Sequence, residues 1–305
     1  MADLLVVGSV AFDTISTPAG QALEALGGSA TYFSLAASLF GHVNLVGVVG
    51  EDFPDEHHDL LRRRGIDTRG LQVRPGRTFR WTGRYEGDMN TAHTLETQLN
   101  VFAEFHPELP DDYRDSAFVF LANIDPELQL EVLGQVREAR LRVLDTMNYW
   151  IERRRPQLLD ALGSVDVALM NEGEVRQLAG THNLVAAANR VRKFGPRVLV
   201  VKKGEHGAVM FSDDGYFVAP AYPLEDVKDP TGAGDTFAGG FVGYLCEAGA
   251  ITDETLRRAV VHGSVMASFT CEDFGVSRLA KVAPAEVAAR YRAMRTFTHV
   301  ADGDR

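Results

Sequence analysis

The sequence predicts an α/β fold in which a doubly wound, mainly parallel sheet lies between helices and carries a small inserted lid of β-strands. Three observations predict it. Short, nearly continuous apolar runs recur along the chain, helical patterns separate them, and one polar and aromatic segment interrupts the alternation. Apolar runs of this kind are typical of strands buried on both faces of a parallel sheet. Strand, helix and strand in this order favour right-handed crossover units.

The alternation extends from the N-terminus to residue 202. The apolar runs interpreted as strands are 4–10, 43–50, 117–122, 141–147, 165–170 and 197–202. The helical patterns between them are 28–40, 53–64, 126–139, 150–162, 172–179 and 184–194. We interpret the first run as a strand and not as a signal peptide, because no basic leader precedes it.

The C-terminal third has a different character. It begins with a hairpin whose predicted strands are 206–212 and 215–220. Three long helical patterns follow, at 233–249, 252–273 and 284–297. A closing helical layer packed on the sheet accounts for them.

The segment 76–102 interrupts the alternation with strand-like stretches and no good helical pattern. We predict an inserted β-lid here, formed together with residues 11–18. An edge hairpin without a functional role is the alternative. Because repeats, low-complexity tracts and linkers are absent from the sequence, we predict a single domain over residues 1–305.

Composition and charge argue against several classes of protein. Of 305 residues, 45% are hydrophobic and 24% are charged, as in ordinary globular proteins. No apolar run approaches the ~20 residues that a membrane-spanning helix needs. A formal net charge of −11 disfavours nucleic acid as a partner. Cys246 and Cys271 lack metal-ligand spacing, so we expect free thiols in a reducing, cytoplasmic compartment.

The most informative stretch is DPTGAGDT at 229–236, which opens into an apolar helix. Such a junction exposes unpaired backbone N–H groups at the positive end of the helix dipole, which suits an anion. Gly232, Ala233 and Gly234 are small enough for phosphate oxygens to approach the backbone. Asp235 can either cap the helix or take the proton from an attacking hydroxyl, and its position alone leaves both possibilities open.

The run DPTGAGDTFAGG closely resembles the C-terminal signature of the PfkB carbohydrate kinases, the ribokinase-like family. The resemblance implies transfer of the γ-phosphate of ATP to a hydroxyl of a small sugar or sugar-like polyol. It makes Gly232, Ala233 and Gly234 the anion hole and Asp235 the general base. A nucleoside kinase of the same fold, or a catalytically silent nucleotide-binding regulator, is the alternative. A dehydrogenase is disfavoured because GSVAFD, after the first strand, lacks the G-x-G-x-x-G loop.

The acceptor side of the resemblance rests on the N-terminal motifs. Gly27 and Gly28 match the family's paired glycines, which let the backbone lie against a sugar, although a tight turn needs the same glycines. Asp13 matches an aspartate that holds two acceptor hydroxyls in the family. Tyr32 departs from the family pattern, which commonly has asparagine there. An aromatic side chain at this position can stack on a ring or close the pocket.

The donor side rests on Asn171 and Glu174, which resemble the family's NxxE motif. The resemblance implies that they organise Mg²⁺ and its waters around the nucleotide phosphates, with Glu174 acting through water. By the residues alone, asparagine with glutamate three positions later is also an ordinary helix start.

Further positions resemble the family's nucleotide side. Lys202, Gly204 and Gly207 match the strand-end segment that lines it, although a solvated lysine pair is also compatible with KK at 202–203. Gly275 matches the region beside the adenine pocket. In some relatives the residue matching Asp229 helps to hold a monovalent cation such as K⁺. The family's lids often pair between subunits, so the resemblance also implies a homodimer.

Overall fold

The computed structural model describes residues 3–297. Its strands are Leu4–Val7 (β1), Ala11–Thr17 (β2), Gly20–Gly27 (β3), Val43–Gly50 (β4), Ile66–Arg74 (β5), Phe79–Tyr85 (β6), Ala92–Gln98 (β7), Phe118–Leu121 (β8), Leu141–Asp145 (β9), Val167–Asn171 (β10), Val198–Lys202 (β11), Ala208–Ser212 (β12) and Gly215–Ala219 (β13).

Helices cover both faces of the sheet that most of these strands form. They are Ser29–Ala37 (α1), Asp55–Arg63 (α2), Pro126–Gln135 (α3), Asn148–Arg153 (α4), Arg155–Leu162 (α5), Glu172–Ala179 (α6), Leu184–Arg192 (α7), Ala233–Ala248 (α8), Asp253–Thr270 (α9) and Pro284–Phe297 (α10). None of the helices between residues 3 and 297 is both long enough and apolar enough to cross a bilayer.

The main sheet has nine strands in the order β13-β12-β11-β10-β9-β8-β1-β4-β5. All neighbours from β5 to β11 are parallel, whereas β12 and β13 form an antiparallel hairpin at one edge. The chain starts at β1 and winds outward in both directions. The predicted doubly wound, mainly parallel α/β fold is therefore confirmed.

The core lies in two layers, one on each face of the sheet. Leu4 and Val6 of β1 face the layer that contains α1, α8 and α9, and Leu5 and Val7 face the layer that contains α3, α5, α6 and α7. All four side chains are buried, as expected for a central parallel strand. Strong burial at the sheet centre gives the carboxyl ends of the strands a rigid base.

A second sheet of four strands, in the order β3-β2-β6-β7, forms the lid. β6 and β7 lie within segment 76–102, and β2 lies within residues 11–18, where the lid is predicted. The strand β3 is an addition to the predicted lid. Its sequence GQALEALG has weak alternation, and most of its residues are exposed or half-exposed. The single-domain prediction, and closure of the site by this sheet, stay predictions.

The structure also differs from the predicted elements at three points. The first strand ends at Val7, because the chain then turns towards the lid. The helix predicted at 150–162 is two helices, α4 and α5, that break at Arg154. Pro156 explains the break, since it has no N–H to continue the helical hydrogen bonds. The edge strand β5 is missing from the prediction because its sequence IDTRGLQVR is largely polar.

Candidate active site

Two predicted donor residues, Asn171 and Lys202, lie where the parallel strands end, beside Asp145, which was not predicted. Asp145 is the last residue of β9, Asn171 the last of β10 and Lys202 the last of β11. The winding direction of the sheet reverses beside β1, which lies between β8 and β4. Crevices at the carboxyl ends of strands near such a reversal are the usual ligand sites of doubly wound sheets.

The phosphate loop ends in a left-handed residue that starts α8. Gly232 has φ 75°, and its carbonyl accepts the first helical hydrogen bond, from the Thr236 N–H, at 2.8 Å. The Ala233 N–H donates to the Pro230 carbonyl at 3.1 Å. The N–H groups of the first turn that follow have no partner within a helix, so the Gly234 N–H is available to an anion.

The fully buried Asp229 shapes this loop from behind. Its carboxylate accepts hydrogen bonds from the Thr231 N–H at 2.8 Å and from the Gly275 N–H at 3.0 Å. These bonds tie the loop to the 271–275 segment, which the sequence assigns to the adenine side. Asp229 therefore has a structural task that is independent of any cation, and Gly275, with φ 56°, adopts the left-handed backbone that the contact needs.

Tyr32 lies directly on the loop. A methyl group added at Gly232 would lie 2.4 Å from the Tyr32 ring carbons, so the ring packs face-on against this glycine. The side chain is 1% exposed, and its hydroxyl has no hydrogen-bond partner within residues 3–297. Burial, followed by the nearby Asp13 carboxyl, raises the pKa of Tyr32 well above its ordinary value, so the phenol stays protonated.

Asp13 is held against the paired glycines Gly27 and Gly28. The carboxyl is 4% exposed, and an added methyl group at Gly27 would lie 1.9 Å from its Oδ2. The Gly28 N–H donates to it, but burial prevails and raises the pKa of Asp13 to about 7. Ser9 and Ser29 fix this corner, because their hydroxyls are 3.1 Å apart and each also accepts the other residue's N–H.

Asp235 lies in the first turn of α8 and is partly exposed. Burial, followed by the Asp145 carboxylate, raises the pKa of Asp235 to about 7, and Lys202 opposes the rise. A carboxyl that titrates near neutral pH can accept a proton from a hydroxyl and release it again, which general-base catalysis requires.

A buried ion pair stands next to Asp235. Lys202 Nζ lies 2.6 Å from Asp145 Oδ2, and the two side chains are 17% and 4% exposed. The same ammonium lies 3.1 Å from the position of a methyl group added at Gly234, so it reaches the anion loop. Sequence reasoning overlooked Asp145. The available signal was an acid at the end of the buried run LRVLD.

Asn171 and Glu174 form a reciprocal cap at the start of α6. The Glu174 N–H donates to Asn171 Oδ1 at 2.8 Å, and the Asn171 N–H donates to Glu174 Oε2 at 2.7 Å. Burial, followed by Asp145, raises the pKa of Glu174 to about 8. Three carboxyls (Asp145, Glu174 and Asp235) thus face one ammonium, that of Lys202. A nearby positive charge would relieve their mutual repulsion. Among residues 3–297, however, no group of three or more His, Cys, Asp or Glu side chains is arranged to hold a metal ion directly.

The remaining glycines differ in what they contact. A methyl group at Gly204, with φ 55°, would lie 2.2 Å from Asn90 Oδ1, at the lid tip between β6 and β7. Asn90 also donates to Glu205 Oε1 at 3.2 Å. Gly207, with φ 84°, packs on the backbone of residues 219–221 at the end of the edge hairpin. Gly204 thus lies under the lid tip, whereas Gly207 has a backbone-packing role.

Comparison with known proteins identifies relatives of the chain. The model of the pfkB family carbohydrate kinases matches residues 1–282. The chain belongs to the PfkB family of carbohydrate kinases. It is 32% identical to the cytidine kinase of Thermococcus kodakarensis over 250 residues, which are 80% of this chain and 89% of that protein. It is 29% identical to the nucleoside kinase of Methanothermobacter thermautotrophicus over 290 residues, 90% of each chain.

The PfkB assignment agrees with the fold. A putative ribokinase II from E. coli, solved with ATP and Mg²⁺, superposes with a TM-score of 0.78 at 17% identity, covering 96% of this chain and 100% of that one. At this identity the likeness shows the ribokinase-like fold. The family and its curated relatives make this PfkB protein a kinase of sugars or nucleosides, as the sequence resemblance implies.

Proposed function

We propose that this PfkB kinase transfers the γ-phosphate of Mg·ATP to a sugar hydroxyl of a nucleoside, with Asp235 as the general base. One observation carries the proposal. Asp235 directly follows the anion loop in the first turn of α8. Lys202, on the donor side, reaches the loop at Gly234, and the ring of Tyr32, on the acceptor side, packs on Gly232. A base at this junction can reach a hydroxyl that attacks a phosphorus atom held by the loop.

The chemistry follows from that position. The acceptor oxygen forms a bond to the γ-phosphorus while the bond from this phosphorus to the bridging oxygen breaks and ADP leaves. The proton of the acceptor hydroxyl passes to Asp235. In the anion hole of Gly232, Ala233 and Gly234, at the positive end of α8, the Gly234 N–H stabilises the charge on the transferred group, because the Ala233 N–H donates to the Pro230 carbonyl.

The nucleotide lies, in this proposal, along the ends of β10 and β11. Asn171 and Lys202 contact the phosphates, with Gly204, Gly207 and Gly275 lining the route to the adenine. Mg²⁺ would neutralise phosphate charge and would be held through water by Glu174. We also propose that the Asp229 loop accepts a monovalent cation such as K⁺.

The acceptor is held, in this proposal, by Asp13 through two ring hydroxyls, against the backbone of Gly27 and Gly28. Tyr32 supplies a buried hydroxyl and an aromatic face. We favour a nucleoside because a relative that is 32% identical to this chain is named as a cytidine kinase, and one that aligns over 90% of this chain is named as a nucleoside kinase. A free sugar or polyol is the second candidate, since the paired hydroxyls that suit Asp13 occur in both.

We also propose that the lid closes on the bound acceptor and pairs two subunits into a cytoplasmic homodimer. The contacts of its tip support closure: the Thr231 hydroxyl donates to Tyr85 Oη at 3.4 Å, and Asn90 meets Gly204. The exposed Leu23 and Leu95, on its edge strands β3 and β7, support pairing. Light scattering on the purified protein tests this point, and a strictly monomeric mass would contradict it.

The proposed activity is tested by ADP release from Mg·ATP across matched nucleosides, free sugars and polyols. We expect turnover with nucleosides at a kcat/KM at least tenfold above that for the matching free sugars. Equal or better turnover with a sugar would assign the second candidate. If neither class gives turnover although nucleotide binds, the proposed activity is wrong, and the result favours a catalytically silent nucleotide-binding regulator.

A further inference from the structure

We propose that Asp145 is a positioning residue for the phosphoryl transfer: it anchors Lys202 on the donor side of the anion loop and keeps its ammonium from pairing with Asp235. The inference deepens the proposed function and rests on it. Asp145 is not among the residues that the sequence analysis assigns to the site.

The geometry gives Asp145 a fixed place. The carboxyl is 3% exposed at the end of β9, in the centre of the main sheet. Its Oδ1 accepts the Thr146 N–H at 2.8 Å, which leaves Oδ2 to face Lys202 Nζ at 2.6 Å. The Gln129 amide from α3 donates to the Asp145 carbonyl at 3.0 Å and holds the backbone behind it. The carboxylate is thus oriented before any ligand binds.

Lys202 has more than one carboxylate within electrostatic reach. Burial is the largest single influence on the pKa of Lys202 and lowers it, but the carboxylates of Asp145, Glu174 and Asp235 together raise the pKa, and Asp145 acts most strongly among them. A lysine has a flexible stem and follows the nearest strong anion. An ammonium paired directly with Asp235 would hold the base in its charged form and weaken it as a proton acceptor. The bond to Asp145 directs the ammonium to Gly234 instead, where phosphate oxygens would arrive.

A purely structural ion pair predicts different behaviour from a positioning one. Loss of a structural pair lowers stability and leaves the kinetic constants of the folded fraction unchanged. Loss of the anchor changes the affinity for nucleotide and the protonation of Asp235. The groups that face Asp235 are Asp145 of β9, Lys202 of β11, Glu174 of α6, Asp13 of β2 and Tyr32 of α1. Within residues 3–297, Lys202 is the one cation among these groups, so its placement controls the base.

The test compares the full-length enzyme with Asp145→Asn, Lys202→Met and the double variant. Asp166→Asn is the matched control, because Asp166 precedes β10 at the opposite end of the sheet and accepts the Arg142 N–H at 2.9 Å. For Asp145→Asn we expect the KM for Mg·ATP to rise at least tenfold. We also expect the acidic limb of the kcat profile to move to lower pH, because Lys202 then acts on Asp235 unopposed. When Lys202→Met is already present, adding Asp145→Asn should change the KM for Mg·ATP by less than a further twofold.

Two results would overturn the inference. If Asp145→Asn is folded and changes neither the KM for Mg·ATP nor the acidic limb, the pair is only structural. If that variant does not fold, the double variant should, because it lacks the unpaired buried ammonium. A double variant that is less stable than both singles would also contradict the proposal. If wild type has no acceptor activity, the proposed function fails, but calorimetric titration with Mg²⁺ and a non-hydrolysable ATP analogue still measures the expected tenfold loss of affinity.

Discussion

At the scale of single residues, Tyr32 is where this chain departs from the PfkB pattern. Its ring rests on Gly232, and its hydroxyl is buried without a hydrogen-bond partner among the described residues. A buried, unpaired hydroxyl destabilises the folded state unless a ligand completes it. The carboxyls of Asp13 and Asp235 act electrostatically on Tyr32, so its hydroxyl lies close to the proposed acceptor pocket. We therefore expect the bound acceptor to supply the hydrogen-bond partner that the Tyr32 hydroxyl lacks.

Substitution of Tyr32 by Phe separates ligand binding from stability. We expect the KM for the acceptor to rise by about two- to tenfold, the value of one ordinary hydrogen bond, while the melting temperature stays equal or increases. Tyr113→Phe is the matched control, because the Tyr113 hydroxyl is also buried but donates to the Asp67 carbonyl at 3.1 Å. That variant should lose stability and keep its KM. The opposite pattern would show that the Tyr32 hydroxyl does not meet the acceptor.

At the scale of secondary-structure elements, the start of α8 combines two constraints in Gly232. The residue has φ 75°, a left-handed conformation that costs other residues roughly 1–2 kcal/mol. It also leaves room for the Tyr32 ring. Gly249, at the end of the same helix, has φ 64° but nothing within 4 Å of an added methyl group. The two glycines therefore share the backbone constraint and differ in contacts.

Alanine at each glycine should distinguish the two constraints. Gly249→Ala should lower the free energy of unfolding by roughly 1–2 kcal/mol and leave kcat unchanged. Gly232→Ala should lose about 1–3 kcal/mol more through overpacking against Tyr32, and its kcat should fall at least tenfold because the loop is displaced. Urea unfolding and steady-state kinetics measure both quantities. Equal losses in the two variants would mean that Tyr32 moves aside freely.

Burial determines which strands could be predicted from the sequence. Strands such as β1, β4 and β11 are buried on both faces, so their sequences are almost continuously apolar and can be recognised without a structure. The polar edge strands β3 and β5 lack that signal. β3 pairs with the adjacent β2 in a tight hairpin, and β5 pairs with β4 across the intervening helix α2. In both strands the polar residues leave no local hydrophobic pattern from which a strand or its register could be predicted.

The residues of the site also fall into those that could be predicted from the sequence and those that could not. Gly232, Asp235 and Asp13 belong to compact motifs and were visible in the sequence. Asp145 and Asn90 were not, because their partners Lys202 and Gly204 are distant in sequence and are brought to them by the fold. Tyr32 was visible as a departure from the family pattern, but only the structure shows that its ring lies on the phosphate loop.

At the scale of the whole molecule, the site concentrates carboxyls whose pKa values are raised by burial. Asp13 and Asp235 have pKa values of about 7, and Glu174 has one of about 8, against ordinary values of 3.8 for aspartate and 4.5 for glutamate. Between these limits the native state binds more protons than the unfolded chain. These carboxyls therefore make their full contribution to the free energy of unfolding below about pH 4. That contribution is lost as the pH rises through their folded-state pKa values of about 7 to 8.

The ligand-free protein should therefore melt at a lower temperature at pH 9 than at pH 7. The histidines do not mask this trend, because burial lowers the pKa of His57 and His262 below 6.5 and their effect is complete by pH 7. Differential scanning calorimetry measures the slope. Asp13→Asn removes one of the groups and should make the slope smaller. A melting temperature that is constant or rises over this interval would contradict the assigned pKa values.

The central claim is that Asp235 takes the proton from the acceptor, and its most direct test is the turnover of Asp235→Asn with the preferred acceptor. Asp214→Asn, in the exposed β12–β13 turn, is the matched control. We expect kcat to fall by about 10²–10⁴-fold in Asp235→Asn, with the affinity for the ATP analogue retained, and to stay unchanged in the control. In the wild type, kcat should rise with pH through a limb near 7. An Asp235→Asn enzyme that keeps more than about a tenth of wild-type kcat would contradict the claim.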